Sequence, residues 1–303
     1  MNIIKTLILI WTFLITTTAN SSEFLVSTDW LEKNLKNTKL HIIEVSSDTG
    51  VYERGHIQGA VNIKWHTDLV DPIKRDIASK ENLQKTLQSL GINNDSTIVI
   101  YGDNNNWFAA WGAWVFDVYG IKNVKLLDGG RKKWEAEKRP LTPIATSTKT
   151  GNIILLNANN NLRAKLSDVV EVANKKSNIS MVDIRSPDEF SGKIFAPPGF
   201  AETAIRAGHI PGAVNVPWAS AVAEDGTFKS KEELKKIYGA VGVDEKKPII
   251  TYCRIGERSS HTWFALKKIL GYEVRNYDGS WTEYGNSVGN PVSNPTGTIW
   301  GGK

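Results

Sequence analysis

Short apolar runs alternate along this chain with polar stretches of helical spacing. Leu40 to Val45, Thr97 to Tyr101 and Val124 to Leu127 are brief hydrophobic runs bounded by polar residues, and they predict buried strands. Ser180 to Ile184, Pro248 to Tyr252 and Tyr272 to Tyr277 predict a second set. Ser79 to Leu90 has helical spacing and stops at Gly91. Ser167 to Ala173, Lys231 to Tyr238 and Ser259 to Leu270 predict further helices, with Ser167 and Ser230 as N-caps. Trp107, Trp111 and Trp114 recur at one-turn spacing, which makes them one helix face and a core stripe rather than a ligand box. Strands alternating with helices predict an α/β fold with a largely parallel sheet. In such sheets ligands bind beyond the carboxyl ends of the strands.

The pattern occurs twice. Gly55-His56-Ile57-Gln58-Gly59-Ala60-Val61-Asn62 returns as Gly208-His209-Ile210-Pro211-Gly212-Ala213-Val214-Asn215. Leu127-Asp128-Gly129-Gly130 before Trp134 is echoed by Tyr277-Asp278-Gly279-Ser280-Trp281. Ile98 to Tyr101 is echoed by Ile249 to Tyr252. The pairs lie about 150 residues apart in the same order, as two copies of one domain would place them. A first copy over 23–143, a linker over 144–163, a second copy over 164–290 and an irregular tail over 291–303 follow. The linker is rich in Thr and Asn, and its Ile153-Ile154-Leu155-Leu156 run is expected to add a strand. His56 and His209 stand in both copies, so they read as structural; His261 faces either core or loop.

A chain of 303 residues suits two domains, each with its own core. The apolar fraction of 41% is too high for a disordered chain and too low for a multispan membrane protein. The net charge of +5 is mild, and Lys and Arg are scattered among Asp and Glu, which argues against nucleic acid as a partner. Residues 1–20 carry one early positive charge, an apolar stretch from Leu7 to Ile15 and small residues at the end. These are marks of a secretory signal peptide, and the stretch is shorter than the roughly 20 residues that span a bilayer. The expectation is an exported protein, periplasmic or secreted, without stable membrane association after cleavage; an uncleaved anchor is the alternative.

One cysteine is present, so no internal disulfide can form. Cys253 follows the apolar run Pro248 to Tyr252 and precedes Arg254-Ile255-Gly256-Glu257-Arg258-Ser259. A thiol at a strand–loop–helix turn meets converging backbone N–H groups and a helix N-terminus, and both favour the thiolate. Arg254 and Arg258 add fixed positive charge suited to an anionic substrate, although both could be plain surface charge. Gly256 permits a backbone conformation that other residues resist. Ser259 is expected to cap the following helix, and Glu257 either points outward or orients an arginine. A buried structural cysteine is the bland alternative. In the first copy Gly102 follows Tyr101, so that copy has no nucleophile. Five scattered histidines and one cysteine show no metal-ligand spacing, and no cofactor is implied.

Two reactions use a cysteine in such a cradle. Cysteine phosphatases separate Cys from Arg by five residues, whereas four separate Cys253 from Arg258. A shorter loop suits one sulfur atom better than a phosphate, and Tyr252 rather than His precedes the cysteine. The duplicated Gly-His-Ile-x-Gly-Ala motifs, the Asp278 to Tyr284 run and the Cys253 to Ser259 loop together resemble a two-domain rhodanese, a thiosulfate sulfurtransferase. The resemblance covers about Phe24 to Val288 and is strongest at Val182 to Phe190 and Tyr252 to Phe264. It implies tandem rhodanese-like α/β domains, each a largely parallel central sheet flanked by helices, the first inactive and the second catalytic. It also implies double displacement through a Cys253 persulfide, between a small anionic sulfur donor and a thiophilic acceptor such as cyanide or a thiol. Relatives acting on 3-mercaptopyruvate carry Cys-Gly-Ser-Gly-Val-Thr in this loop, so Arg254 points to thiosulfate. In animal thiosulfate enzymes the third loop residue is lysine where Ile255 stands here, and a substrate-gripping arginine matches Glu189. Arg258, Arg185 or Arg206 could take over that grip, and Asp183 could orient an arginine or serve as a turn residue. A non-catalytic thiol or persulfide sensor is the remaining alternative. The natural acceptor, the role of the first copy and the oligomeric state stay open.

Overall fold

The computed structural model describes residues 23–300, so the expected leader at residues 1–20 lies outside the described residues. The first copy holds β1 (Leu25–Val26), β2 (Leu40–Glu44), β3 (Ala60–Asn62), β4 (Thr97–Tyr101) and β5 (Val124–Leu127). They form one sheet in the order β1-β5-β4-β2-β3. The second copy repeats it with β6 (Arg163–Ala164), β7 (Ser180–Asp183), β8 (Ala213–Asn215), β9 (Ile249–Tyr252) and β10 (Val274–Tyr277), in the order β6-β10-β9-β7-β8. All pairings within the two sheets are parallel. The central strands β4 and β9 are buried over Ile98 to Tyr101 and Ile249 to Tyr252. A strand covered on both faces by helices has no polar side to show, hence the unbroken apolar runs. The edge strands β1, β3, β6 and β8 are too short to carry an alternation, and the sequence pattern does not predict them.

Helix Lys80–Ser89 is capped by Ser79, whose hydroxyl accepts from the Asn82 N–H, and Gly91 follows with a positive φ. Helix Lys231–Gly239 is capped by Ser230 in a reciprocal box with Glu233. Ser167 is not a cap. Helix Leu166–Ala173 starts earlier, because the Asp168 carboxylate turns back to accept the Lys165 N–H at 2.7 Å. The helix expected from Ser259 begins at Glu257, and its second half, Phe264–Ile269, is π-helical. The linker adds no strand at Ile153 to Leu156. It lies along the first copy with Ile153 and Leu155 buried and Ile154 and Leu156 exposed. The Ile153 N–H donates to Ile92 and the Leu156 N–H to Tyr119, which spends the backbone groups a strand would have used. Beyond Asn290, Ser293 pairs with His209 as Thr142 pairs with His56, so the tail extends the repeat.

The two copies share a core. Helix Trp107–Val118 lies against helix Glu257–Trp263, and Trp111, Trp114, Trp263 and Phe264 belong to one buried cluster. Polar ties cross in both directions. The Asp278 carboxylate accepts from the Trp111 indole at 3.1 Å, and the Asp128 carboxylate accepts from the Phe228 N–H at 2.9 Å. Each copy also extends a hairpin, closed by Val70↔Ile77 or Val222↔Phe228, toward the loop that follows the other's central strand.

Candidate active site: a cysteine loop at the end of the central strand

Cys253 leaves β9 at its carboxyl end, where a parallel sheet presents ligands. Its sulfur turns into its own loop and accepts the Gly256 N–H at 3.1 Å. Gly256 has φ 102°, and a Cβ there would lie 2.2 Å from the Asp278 carbonyl oxygen, so only glycine fits. Of the backbone N–H groups expected to converge on the thiol, that of Gly256 is the one that bonds the sulfur.

What fixes the loop is the outward pull on its carbonyls. The Cys253 carbonyl accepts from the Trp281 N–H at 3.0 Å. The Arg254 carbonyl accepts from the Thr282 N–H and hydroxyl, both at 2.9 Å. The Ile255 carbonyl accepts from the Arg75 guanidinium at 2.7 Å. The Gly256 carbonyl meets the Ser259 hydroxyl at 2.7 Å and the Asn276 amide at 3.2 Å. With four carbonyls tied outward, their peptide planes carry N–H groups toward the interior. Ser259 therefore braces the loop from inside the helix and does not cap it. Ser280 was not singled out from the sequence, yet its hydroxyl accepts the Cys253 N–H at 3.1 Å, donates to the Tyr277 carbonyl at 2.7 Å, and sits 4.0 Å from the sulfur. The one available clue was its departure from Gly130 in the repeated motif.

Cys253 is fully buried. Arg254 lies over the Phe200 ring at 5.2 Å and donates to the Ala201 carbonyl. Arg258 lies over the Trp107 ring of the first copy at 5.6 Å and is 3.5 Å from the Glu189 carboxylate. The long Arg258–Glu189 contact is one that an anion can displace, whereas Arg254 is held by a short bond to the Ala201 carbonyl. Glu189 itself is buried and closes a capping box with Ser186. Glu257 is buried with one oxygen 2.7 Å from Arg75 and the other unpartnered, and burial pushes its carboxyl up to about 8. A cavity of about 360 Å³ opens on the flank of the loop at Ile255, between Lys74, Arg75, Arg163 and Thr282, and Cys253 is not among its walls.

Asp183 and Arg185 are brought together but away from the loop. The Arg185 guanidinium grips the Asp183 carboxylate at 2.6 Å, donates to the Gly208 carbonyl at 2.7 Å and stacks on Trp281. Arg206 donates to the carbonyls of Tyr284, Gly285, Ser287 and Asn290. Both arginines are spent on scaffolding in this structure. His56 stacks on Tyr52, His209 stacks on Phe190, and His261 lies in the core against Phe228.

The Rhodanese-like domain family matches residues 27–137 and 167–287. A protein of Mycolicibacterium smegmatis named "Putative thiosulfate sulfurtransferase" is 53% identical over 89% of this chain and 98% of its own length. A protein of Thermus thermophilus, "Sulfur carrier protein TtuD", is 49% identical over 89% of this chain and 96% of its own length. Among solved structures, the 3-mercaptopyruvate enzyme SseA of Escherichia coli matches with a TM-score of 0.73 and 27% identity, over 85% of this chain and 98% of that one. With one rhodanese-like domain on each sheet and a cysteine loop on the second alone, the chain belongs to the rhodanese family.

Proposed function

We propose that the protein is a thiosulfate:acceptor sulfurtransferase. The observation that carries this reading is the lone thiol at the end of β9, bonded by the Gly256 N–H in a loop whose Cys253, Arg254, Ile255 and Gly256 carbonyls are each held by another donor. The Cys253 thiolate attacks the outer sulfur of thiosulfate, the sulfur–sulfur bond of the donor breaks, and sulfite leaves with the bonding pair. The product is a Cys253 persulfide, whose negative charge the Gly256 N–H receives. An acceptor nucleophile, cyanide or a thiolate, then attacks the outer sulfur, and the Cys253 thiolate leaves and is ready again. Arg254 and Arg258 hold the dianion. Entry requires Arg258 to exchange Glu189 for the donor, or Arg254 to leave Phe200 and Ala201, because the resting sulfur is covered.

The test is mass spectrometry of the purified protein after mixing with thiosulfate. One added sulfur on Cys253, lost on adding cyanide, is expected; an unmodified cysteine sinks the reading. A 3-mercaptopyruvate donor is the second reading, favoured by the likeness to SseA, and rates on the two donors decide between them. Export to the periplasm is also proposed, supported by the leader-like pattern at residues 1–20; N-terminal sequencing of protein recovered from the periplasm tests it.

A further inference from the structure

The four loop carbonyls are not held alike. Those of Cys253, Arg254 and Gly256 are tied within the second copy. That of Ile255 is held by Arg75, which stands on the first copy's hairpin with a positive φ of 56°. The Ile255 carbonyl and the Gly256 N–H belong to one peptide unit. That unit is planar, so its two polar groups point in opposite directions. The Gly256 N–H is the group bonded to the Cys253 sulfur.

We propose that Arg75 is a positioning residue for sulfur transfer: by gripping the Ile255 carbonyl from the first copy, it fixes the peptide plane whose N–H is aimed at the Cys253 sulfur. Glycine at 256 makes this restraint necessary. A peptide preceding a residue without a Cβ turns over more readily than most, and the turned-over state would present a carbonyl oxygen to an anionic sulfur. Glu257 supports the same grip. Its carboxyl oxygen lies 2.7 Å from the Arg75 Nη2 that bonds the carbonyl, and Asp278 stands 4.0 Å from Nη1. The charged groups facing Glu257 are Arg75, Asp278 and Arg254. Arg75 is half-exposed, so its charge alone is worth little there; the directed hydrogen bond is what matters. The cysteine-free copy thereby acquires a part in the reaction without touching substrate.

This inference rests on the persulfide reading above, and one experiment separates their failures. Single-turnover persulfide formation is followed by mass across a thiosulfate series in the full chain and in Arg75→Ala, Arg75→Lys and Glu257→Gln, with Tm measured for each. A parent that takes up no sulfur overturns the function itself. Given an active parent, Arg75→Ala is expected to slow the maximal rate about ten- to hundredfold, the worth of one hydrogen bond to a charged group, with little change in the half-saturating concentration. Arg75→Lys, which restores one donor to the carbonyl, should recover part of the loss. Glu257→Gln, which leaves Arg75 beside the loop, should lose less than Arg75→Ala. Arg75→Ala running at the parental rate overturns the inference. So does an equal loss in Arg75→Ala and Glu257→Gln, which would assign the effect to the Arg75–Glu257 contact and not to the grip on the carbonyl, or an Arg75→Lys no better than alanine.

Discussion

The loops after β4 and β9 solve the same problem with different residues. In each, the first amide beyond the strand and the last carbonyl of the neighbouring strand need a partner. In the second copy the Ser280 hydroxyl serves both, accepting from Cys253 and donating to Tyr277. In the first copy the Asn106 side chain does so, accepting from the Gly102 N–H at 2.9 Å and donating to the Leu127 carbonyl at 2.7 Å. Asn106 fills the space where a side chain on Gly130 would lie, 2.3 Å from its own oxygen. The residue matching the nucleophile is closed off as well, since a Cβ on Gly102 would sit 2.1 Å from the Val45 carbonyl oxygen. The first loop is therefore back-filled, and more than a thiol is missing. A parallel exchange lies at the carboxyl ends of β2 and β7. Glu44 of the first copy is neutralised by Arg131 at 2.9 Å, which also reaches the Gly55 carbonyl. Asp183 of the second is neutralised by Arg185, which reaches the matching Gly208 carbonyl. A guanidinium stands in the same place in both, supplied from the helix after β5 in one and the turn after β7 in the other.

The comparison can be broken most forcefully at those arginines. Arg185→Met and Arg131→Met each strand a buried carboxylate, and a loss of about 3–5 kcal/mol in denaturant unfolding is expected for both. If only one falls, the two sites are not equivalent. Next come the glycines. Gly256→Ala should cost about 1–3 kcal/mol of stability and most of the sulfur-transfer rate, because the added carbon meets the Asp278 backbone. Gly102→Cys should lose about as much stability through overpacking and restore no turnover to a Cys253→Ser protein. Ser280→Gly copies Gly130 without supplying an Asn106, so it should cost about 1 kcal/mol in melting experiments and lower the transfer rate. The smallest effect concerns pH. Burial pushes the Asp128 carboxyl from its ordinary 3.8 up to about 6. The folded state then keeps a proton that the unfolded chain has released. This contribution is fully present below about 3.8 and is lost as pH rises through about 6. Asp128→Asn should flatten that part of the stability–pH curve, measured by Tm.

The central strands and the cysteine loop were legible because parallel sheets write continuous apolar runs and because the repeat aligned Tyr101 with Tyr252. The edge strands were not, being two or three residues long and set by their neighbours' register. The helix starting at Leu166 was misplaced by its cap, since Asp168 acts from within the first turn where a preceding serine was expected. Arg185 and Arg206 looked like anion binders because sequence shows charge but not who already holds it. Arg75 was invisible, and Ser280 marked only by its departure from Gly130, for a related reason. Arg75 acts 180 residues from the carbonyl it grips, and Ser280 acts through a backbone amide.

The C-terminal run carries a practical consequence. Ser293 exchanges backbone bonds with His209, the Tyr284 hydroxyl donates to the Pro291 carbonyl, and Asn294 lies against Gly192 and Gly208. These contacts fasten the turn bearing Gly208 to the helix that follows β10, the same helix whose Trp281 and Thr282 amides tether the sulfur loop. A protease that clipped the chain near Asn290 would leave every loop residue intact and still slacken the catalytic half from behind.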